Sequence, residues 1–264
     1  ESYRSIQRLL AVAMQWRSKG NLLILSIRNT AKKKSSILNQ PEYAIIVAGG
    51  KGSRFNSNVP KQFVELKGIP VLLHTLRAFY RYSESIKIIL VLASEDFETW
   101  HAIVKKFKFD KPVLLQKGGS TRFQSVRNGL ERIEGDGLVA IHDGVRPLIS
   151  EEIIAASFRL AAVHQTAIAA VRLKESIRIT DQHQTLAVDR SKFRLIQTPQ
   201  TFSVKLIKEA YRTEENEILT DDASVAEQYG ISISLFEGSY TNIKITTPED
   251  LLIAEALLSA KQQL

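Results

Sequence analysis

Tyr43-Ala-Ile-Ile-Val-Ala-Gly-Gly-Lys-Gly-Ser-Arg-Phe55, closed by Pro60-Lys61-Gln62, is the stretch on which the reading of this chain turns. Tyr43 to Ala48 is short, apolar and rich in β-branched residues, the pattern of a strand buried on both faces. It runs straight into Gly49, Gly50 and Gly52, where missing side chains let backbone N–H groups approach an anion. Arg54 and Lys61 follow and supply fixed positive charge. Strand, glycine-rich turn and cations together point to a site for a nucleotide polyphosphate. Two familiar phosphate loops do not fit it. A P-loop would need glycine where Ile45 stands and Ser or Thr where Gly52 follows Lys51. The dinucleotide fingerprint begins at Gly50-Lys51-Gly52 but meets Phe55 where its third glycine belongs.

Outward from that stretch the pattern alternates. Val71 to Tyr82 carries apolar residues at helical spacing, Ile86 to Leu92 reads as a buried strand, and Phe97 to Phe107 as a helix. Pro112 to Gln116 is a strand and Thr121 to Ile133 a helix preceded by Gly118-Gly119. Leu138 to His142 is a further strand ending at Asp143. Ser150 caps the next helix, with Glu151 and Glu152 suited to its positive end. This alternation predicts an α/β, Rossmann-like fold with a mostly parallel sheet covered by helices on both faces. Ligands of such sheets sit beyond the C-terminal strand ends, so residues 49–61, 117–125 and 143–147 should converge on one crevice. The rhythm breaks after the strand Ala167 to Val171. Ser176–Thr180 and Thr185–Val188 flank Asp181-Gln182-His183-Gln184, which reads as a hairpin turn. Helices at Val204–Arg212 and Asp221–Tyr229, a strand at Ile231–Phe236 and a last helix opened by Pro248 complete the chain. Thr220 and Asp221 read first as a helix cap.

Composition narrows the chemistry. The chain has no cysteine, which rules out disulfides and thiolate catalysis. Its net charge of +8 is localised: residues 1–40 hold eight Lys/Arg against one acid, leaving 28 against 27 in the remainder. A near-neutral body argues against nucleic acid as the partner. The basic, serine-containing, acid-poor segment 1–42 resembles an organelle transit peptide or a non-native leader. Its apolar runs, Leu9–Met14 and Leu22–Ile27, fall well short of the roughly 20 residues that span a bilayer, so no membrane partner is expected. The domain that matters is therefore 43–264, with an arm over about 172–200.

Several blocks, taken in order, carry a family resemblance. Ala48-Gly-Gly-Lys-Gly-Ser-Arg54 with Pro60-Lys61-Gln62-Phe63 resembles the signature of nucleotide-sugar-type nucleotidyltransferases. Gly118-Gly-Ser-Thr-Arg-Phe-Gln-Ser125, His142-Asp-Gly-Val-Arg-Pro147, Val188-Asp-Arg190, Gln197-Thr-Pro-Gln200, Thr220-Asp-Asp-Ala-Ser224 and Asn242-Ile-Lys-Ile-Thr-Thr-Pro-Glu-Asp250 follow. Together they are similar to the cytidylyltransferase branch, in particular the 2-C-methyl-D-erythritol 4-phosphate cytidylyltransferase family of isoprenoid precursor synthesis. A cytidylyltransferase for a pentitol phosphate such as D-ribitol 5-phosphate is the nearest alternative, differing chiefly around Ser176, Arg190 and Thr198. A nucleotide-binding protein without catalysis is a third reading, which retention of Arg54 and Lys61 opposes.

The resemblance implies attack of an acceptor phosphate oxygen on the α-phosphorus of CTP, with pyrophosphate leaving. A phosphate monoester is already ionised near neutral pH, so the task is positioning and charge neutralisation rather than general-base catalysis. By the same resemblance Arg54 and Lys61 are the catalytic cations. Ala48, Gly49 and Gly50 lie along CTP through their backbone, Gly119, Ser120 and Ser125 read cytosine and ribose, and Lys244 contacts phosphate. Asp143, Arg146, Ser176, Arg190 and Thr198 bind the acceptor, with Ser176 and Arg190 reaching across a homodimer formed by the arm. Relatives often carry an acid at Ser120 and threonine at Ser176. Arg122 is expected to orient its neighbours, and His142 to pack at its strand end. Mg²⁺ is expected on the CTP phosphates, with no protein ligand named. The expected location is the cytoplasm, or a plastid if the extension is a transit peptide.

Overall fold

A computed structural model describes residues 40–50, 55, 59–181 and 184–261. Strand β1 (Glu42–Val47) lies between β6 (Leu138–Asp143) and β4 (Lys87–Leu92), and β5 (Val113–Lys117) flanks β4; all of these run parallel. On the other side β10 (Arg194–Ser203) inserts antiparallel between β6 and β7 (Thr166–Arg172), and β11 (Leu235–Glu237) closes that edge parallel to β7. The sheet order is β11-β7-β10-β6-β1-β4-β5. A short antiparallel pair, β2 (Glu65–Leu66) and β3 (Ile69–Pro70), follows the glycine-rich stretch.

Period-two alternation in β1 decides which helices cover which face. Ala44 and Ile46 pack with α1 (Val71–Tyr82), α2 (Phe97–Lys106) and α4 (Glu151–His164) through Leu72, Leu76, Phe79, Trp100 and Phe158. Tyr43 and Ile45 face the opposite way, against α3 (Arg122–Glu131), α5 (Val204–Ala210) and α6 (Asp222–Gln228). Each fully buried Leu, Ile or Phe contributes about 1.5–3 kcal/mol, so these two cores hold the sheet between them. The last helix, α7 (Pro248–Lys261), packs Ala254 into a third cluster with Phe55, Leu66, Val71, Val145 and Ile245.

Register sets the site. Val47 pairs with Val91 on one side and Asp143 on the other, while Leu92 pairs with Lys117. The chains therefore leave β1, β4, β5 and β6 at one level. Three backbone bonds carry the ladder one residue further: Ala48 N–H to Val91 O at 2.9 Å, Gly118 N–H to Leu92 O at 2.7 Å and Gly144 N–H to Val47 O at 2.8 Å.

Two boundaries differ from the sequence reading. The hairpin β8 (Ile177–Thr180) and β9 (Thr185–Val188) forms its own two-stranded sheet, but residues from Arg194 onward already belong to β10 of the central sheet. The run Ile231–Phe236 pairs as a strand only from Leu235, because upstream the Thr166 hydroxyl stands in for the ladder, donating to Ser232 O at 3.1 Å and accepting from Ser234 N–H at 3.0 Å.

Candidate functional site

A cavity of about 700 Å³ opens beyond the C-terminal ends of β1, β4, β5 and β6. Ala48, Gly49, Gly50 and Lys61 line one side, and Gly119, Ser120 and Ser125 the other, with Asp143 and Lys244 on the wall. Lys61 opens a single 3₁₀ turn, and that turn is pinned by its neighbour: buried Gln62 donates Nε2–H to Asp96 Oδ2 at 2.9 Å. Arg54 lies outside the described residues, as do Lys51 and Gly52.

The Gly118-Gly119 turn folds back on α3. Thr121 caps this helix by accepting from Gln124 N–H at 3.1 Å. Ser125 donates its hydroxyl to Thr121 O at 2.9 Å and accepts from Gly119 N–H at 3.1 Å, so it shapes the turn as well as lining the cavity. Ser120 donates both its amide and its hydroxyl to Gln124 Oε1, at 3.1 and 2.8 Å. Gln124 was not among the residues that sequence reading picked out, and only its place one turn into α3 hints at this role.

A second cavity of about 300 Å³ adjoins the first, lined by Arg146, Gln197, Thr198, Thr220 and Asp221. Arg122, Asp143 and Lys244 line both cavities and form the seam between them. There the buried Asp143 carboxylate meets three cations: Lys244 Nζ at 3.0 Å, Arg146 Nε at 3.4 Å and Arg122 Nε at 3.5 Å. Burial alone would raise its pKa, but Arg122, Lys244 and Arg146 outweigh burial and hold it far below the usual carboxylate range. Arg146 is pulled the other way, its pKa lowered by burial, and donates Nη1–H to Asn242 O at 2.7 Å.

Behind the seam sits an arrangement that sequence reading missed. Arg122 holds fully buried Asp222 with two parallel bonds, Nη1 to Oδ1 at 2.9 Å and Nη2 to Oδ2 at 2.7 Å. Tyr211 donates its hydroxyl to Asp222 Oδ1 at 2.5 Å. Asp222 and Asp143 overcome the burial cost on Arg122 and keep it permanently charged. Asp221, beside it, is a cap: it accepts from Ser224 N–H at 2.9 Å in a reciprocal capping box.

The structure brings Ala48, Gly49, Gly50, Lys61, Gly119, Ser120, Ser125, Asp143, Arg146, Thr198 and Lys244 to these two adjoining cavities. It does not bring Ser176 or Arg190 there. Both are exposed on the segment around β8 and β9, where Arg190 donates to the Lys174 carbonyl.

A Rossmann-like sheet with a glycine turn, a lysine beside it and cation-rich adjoining cavities suits a protein that brings a nucleotide up to a second anionic ligand. Comparison with known proteins narrows the class. The family model described as "IspD: 2-C-methyl-D-erythritol 4-phosphate cytidylyltransferase" matches residues 43–260. The protein of that name from Bacteroides fragilis is 47% identical over 215 residues, 81% of this chain and 98% of its own. Its counterpart from Bacteroides thetaiotaomicron is 46% identical over 214 residues, covering 81% and 98%. Among solved structures, 4-diphosphocytidyl-2C-methyl-D-erythritol synthase from Anaerococcus prevotii superposes with a TM-score of 0.74 at 32% identity, covering 85% of this chain and 99% of that one. The chain belongs to the 2-C-methyl-D-erythritol 4-phosphate cytidylyltransferase family and is an enzyme of the nucleotidyltransferase class. None of these matches favours the pentitol phosphate alternative. No helix among the described residues is long and apolar enough to cross a membrane.

Proposed function

We propose that the enzyme transfers CMP from CTP to 2-C-methyl-D-erythritol 4-phosphate, giving 4-diphosphocytidyl-2-C-methyl-D-erythritol and pyrophosphate. The observation that carries this is the seam: Arg122, Asp143 and Lys244 line a larger and a smaller cavity at once. CTP occupies the larger, with its triphosphate along Gly49, Gly50 and Lys61 and its base against Gly119, Ser120 and Ser125. The acceptor occupies the smaller, near Asp143, Arg146 and Thr198, with its phosphate at the seam facing the α-phosphorus. The P–O bond to the acceptor forms as the bond to pyrophosphate breaks. Lys61 and Arg54 balance the charge that builds on the transferring group, and Lys244 holds phosphate from the other side.

Mg²⁺ fits this site as an ion carried by the nucleotide. Asp143 is the carboxylate common to both cavities, and three cations already hold it. The ion would then sit on the triphosphate and neutralise part of its charge. Homodimerisation through the β8–β9 arm is supported by exposed Leu186, Phe193, Leu195 and Ile196 around it. A dimer would carry Ser176 and Arg190 to the neighbouring acceptor site. Residues 1–39 are proposed as an extension dispensable for turnover, the boundary lying before residue 43 because Glu42 already pairs with Leu138 in the sheet, and a cytoplasmic location is proposed unless that extension is a transit peptide.

The test is pyrophosphate release with CTP, Mg²⁺ and each acceptor. Release with methylerythritol phosphate, reduced about 10²–10³-fold in Lys61→Ala, is expected. Release with D-ribitol 5-phosphate alone would overturn the acceptor assignment.

A further inference from the structure

Pairing between β10 and β6 stops at Gln200, opposite Ile141, and the ladder to β7 slips between Ile196 and Gln200. Beyond that point the amide of Asp143 donates not to a main-chain carbonyl but to Thr198 Oγ1, at 3.1 Å. A second neighbour, His142 Nδ1, lies 3.0 Å from the same oxygen. Proton bookkeeping then decides what Thr198 can offer a ligand.

A hydroxyl carries one proton and two lone pairs. One lone pair takes the Asp143 N–H. The proton's place depends on His142, which is fully buried, edge-on to Phe79 with 5.2 Å between ring centroids. Its Nε2 faces the Arg146 carbonyl at 3.5 Å. A carbonyl only accepts, so the ring proton belongs on Nε2, and Nδ1 presents a lone pair. Burial, countered by Asp143 alone among the nearby charged side chains, pushes the imidazole pKa down to about 3, so the ring carries one proton at neutral pH. Thr198 must then be the donor to Nδ1.

We propose that His142 is a positioning residue that fixes the polarity of Thr198: by accepting the hydroxyl's hydrogen bond at Nδ1 it leaves Thr198 Oγ1 one lone pair and no donor for the smaller cavity. Thr198 then reads a hydroxyl group of the acceptor, which can donate, and repels a phosphate oxygen, which cannot. Beside it the Asp143 carboxylate is likewise an acceptor only. The acceptor is thereby oriented, hydroxyl end toward Thr198 and phosphate toward Lys244 and Arg122 at the seam. This deepens the proposed function and rests on that reading of the smaller cavity.

The test has two independent parts on the full chain. Histidine-selective ¹⁵N NMR of the parent, assigned against His142→Phe, should show Nε2 protonated and Nδ1 bare, unchanged between about pH 5 and 8. A protonated Nδ1, or a ring that titrates in that range, overturns the proposal. This part needs no turnover, so it stands even if the acceptor assignment fails. In kinetics, His142→Phe should raise KM for the acceptor about tenfold, the scale of one hydrogen bond, with KM for CTP unchanged. His142→Asn, whose carboxamide oxygen can accept from Thr198, should recover most of that loss. It also serves if the Phe variant does not fold. Equal rises in both KM values, or no recovery with Asn, would reduce His142 to packing.

Discussion

Replacing Asp222 with Asn tests whether the site's cations are held from behind. The carboxylate is fully buried and accepts three short bonds, two from Arg122 at 2.9 and 2.7 Å and one from Tyr211 at 2.5 Å. Removing one partner of a buried ion pair costs about 3–5 kcal/mol, because the other charge is stranded. Here the Arg122 side chain keeps 29% of its surface exposed, so water recovers part of that charge. Asn also retains one accepting oxygen. Together these bring the expected loss to about 2–3 kcal/mol. Tyr211→Phe removes only a bond to a charged group and should cost about 1.5 kcal/mol. The double variant should lose less than the two together, since both changes act on one carboxylate. Urea unfolding with an unchanged m value reads all three. Because Arg122 lines both cavities, KM for CTP should rise alongside. A loss under about 0.5 kcal/mol for Asp222→Asn, the size of an ordinary surface change, would refute the reasoning.

Other expectations follow from single contacts. Gly129 lies where α3 crosses the sheet, and an added Cβ would come within 2.9 Å of Ile45 Cγ2 and 3.1 Å of Val91 Cγ2. Gly129→Ala should therefore lower the urea midpoint by the equivalent of about 1–2 kcal/mol, despite alanine's better helix propensity. His142 is held neutral to about pH 3, while an unfolded histidine protonates near 6.5. As pH falls below about 6.5 the unfolded state binds the proton first, so stability should decline toward pH 3. His142→Phe should make that decline shallower down to about pH 4, with His74, whose pKa is also lowered by burial, keeping part of it. Below that, the depressed Asp143 adds its own loss, because its contribution is present above the ordinary carboxylate pKa and disappears as pH falls through the native one. On the arm, Leu186→Asp should shift size-exclusion and light-scattering mass from dimer to monomer and lower turnover with it. An unchanged mass would sink the arm as the interface. Deleting residues 1–40 should leave turnover as it was, and a loss would give the basic extension a part in the chemistry.

Much of the sheet was legible because its strands are plain. Tyr43–Val47 and Lys87–Leu92 are apolar runs of strand length, and the register they adopt follows from helices that must cover both faces. Strand β10 was not legible. Gln197-Thr-Pro-Gln200 is polar and holds a proline, which argues against a central strand. It is tolerated because Pro199 falls within the slip between Ile196 and Gln200, where no ladder bond is asked of it. Asp222 was hidden for another reason. Asp221 explains the local pattern as a cap, and nothing local reveals that the next carboxylate turns inward to meet an arginine 100 residues away.

The glycines show where sequence reading stops and geometry begins. Gly118 and Gly119 look like Gly49 and Gly50, a pair at a strand end, yet the protein itself requires them. A Cβ on Gly119 would fall 2.3 Å from Gln124 Cβ, and one on Gly118 would fall 2.9 Å from Ser125 Oγ. Gly50 has no such reason. Among the described residues a Cβ there would meet nothing within 4 Å, and its φ lies outside the left-handed region that only glycine favours. Gly49 is nearly as open, its closest prospective contact being Ala93 N at 3.4 Å. The described residues would tolerate a side chain at Gly50, which lines the larger cavity. A glycine that no described residue requires, lining the same cavity as Lys61 and Lys244, supports the reading that the open side-chain space is taken by the nucleotide's phosphates.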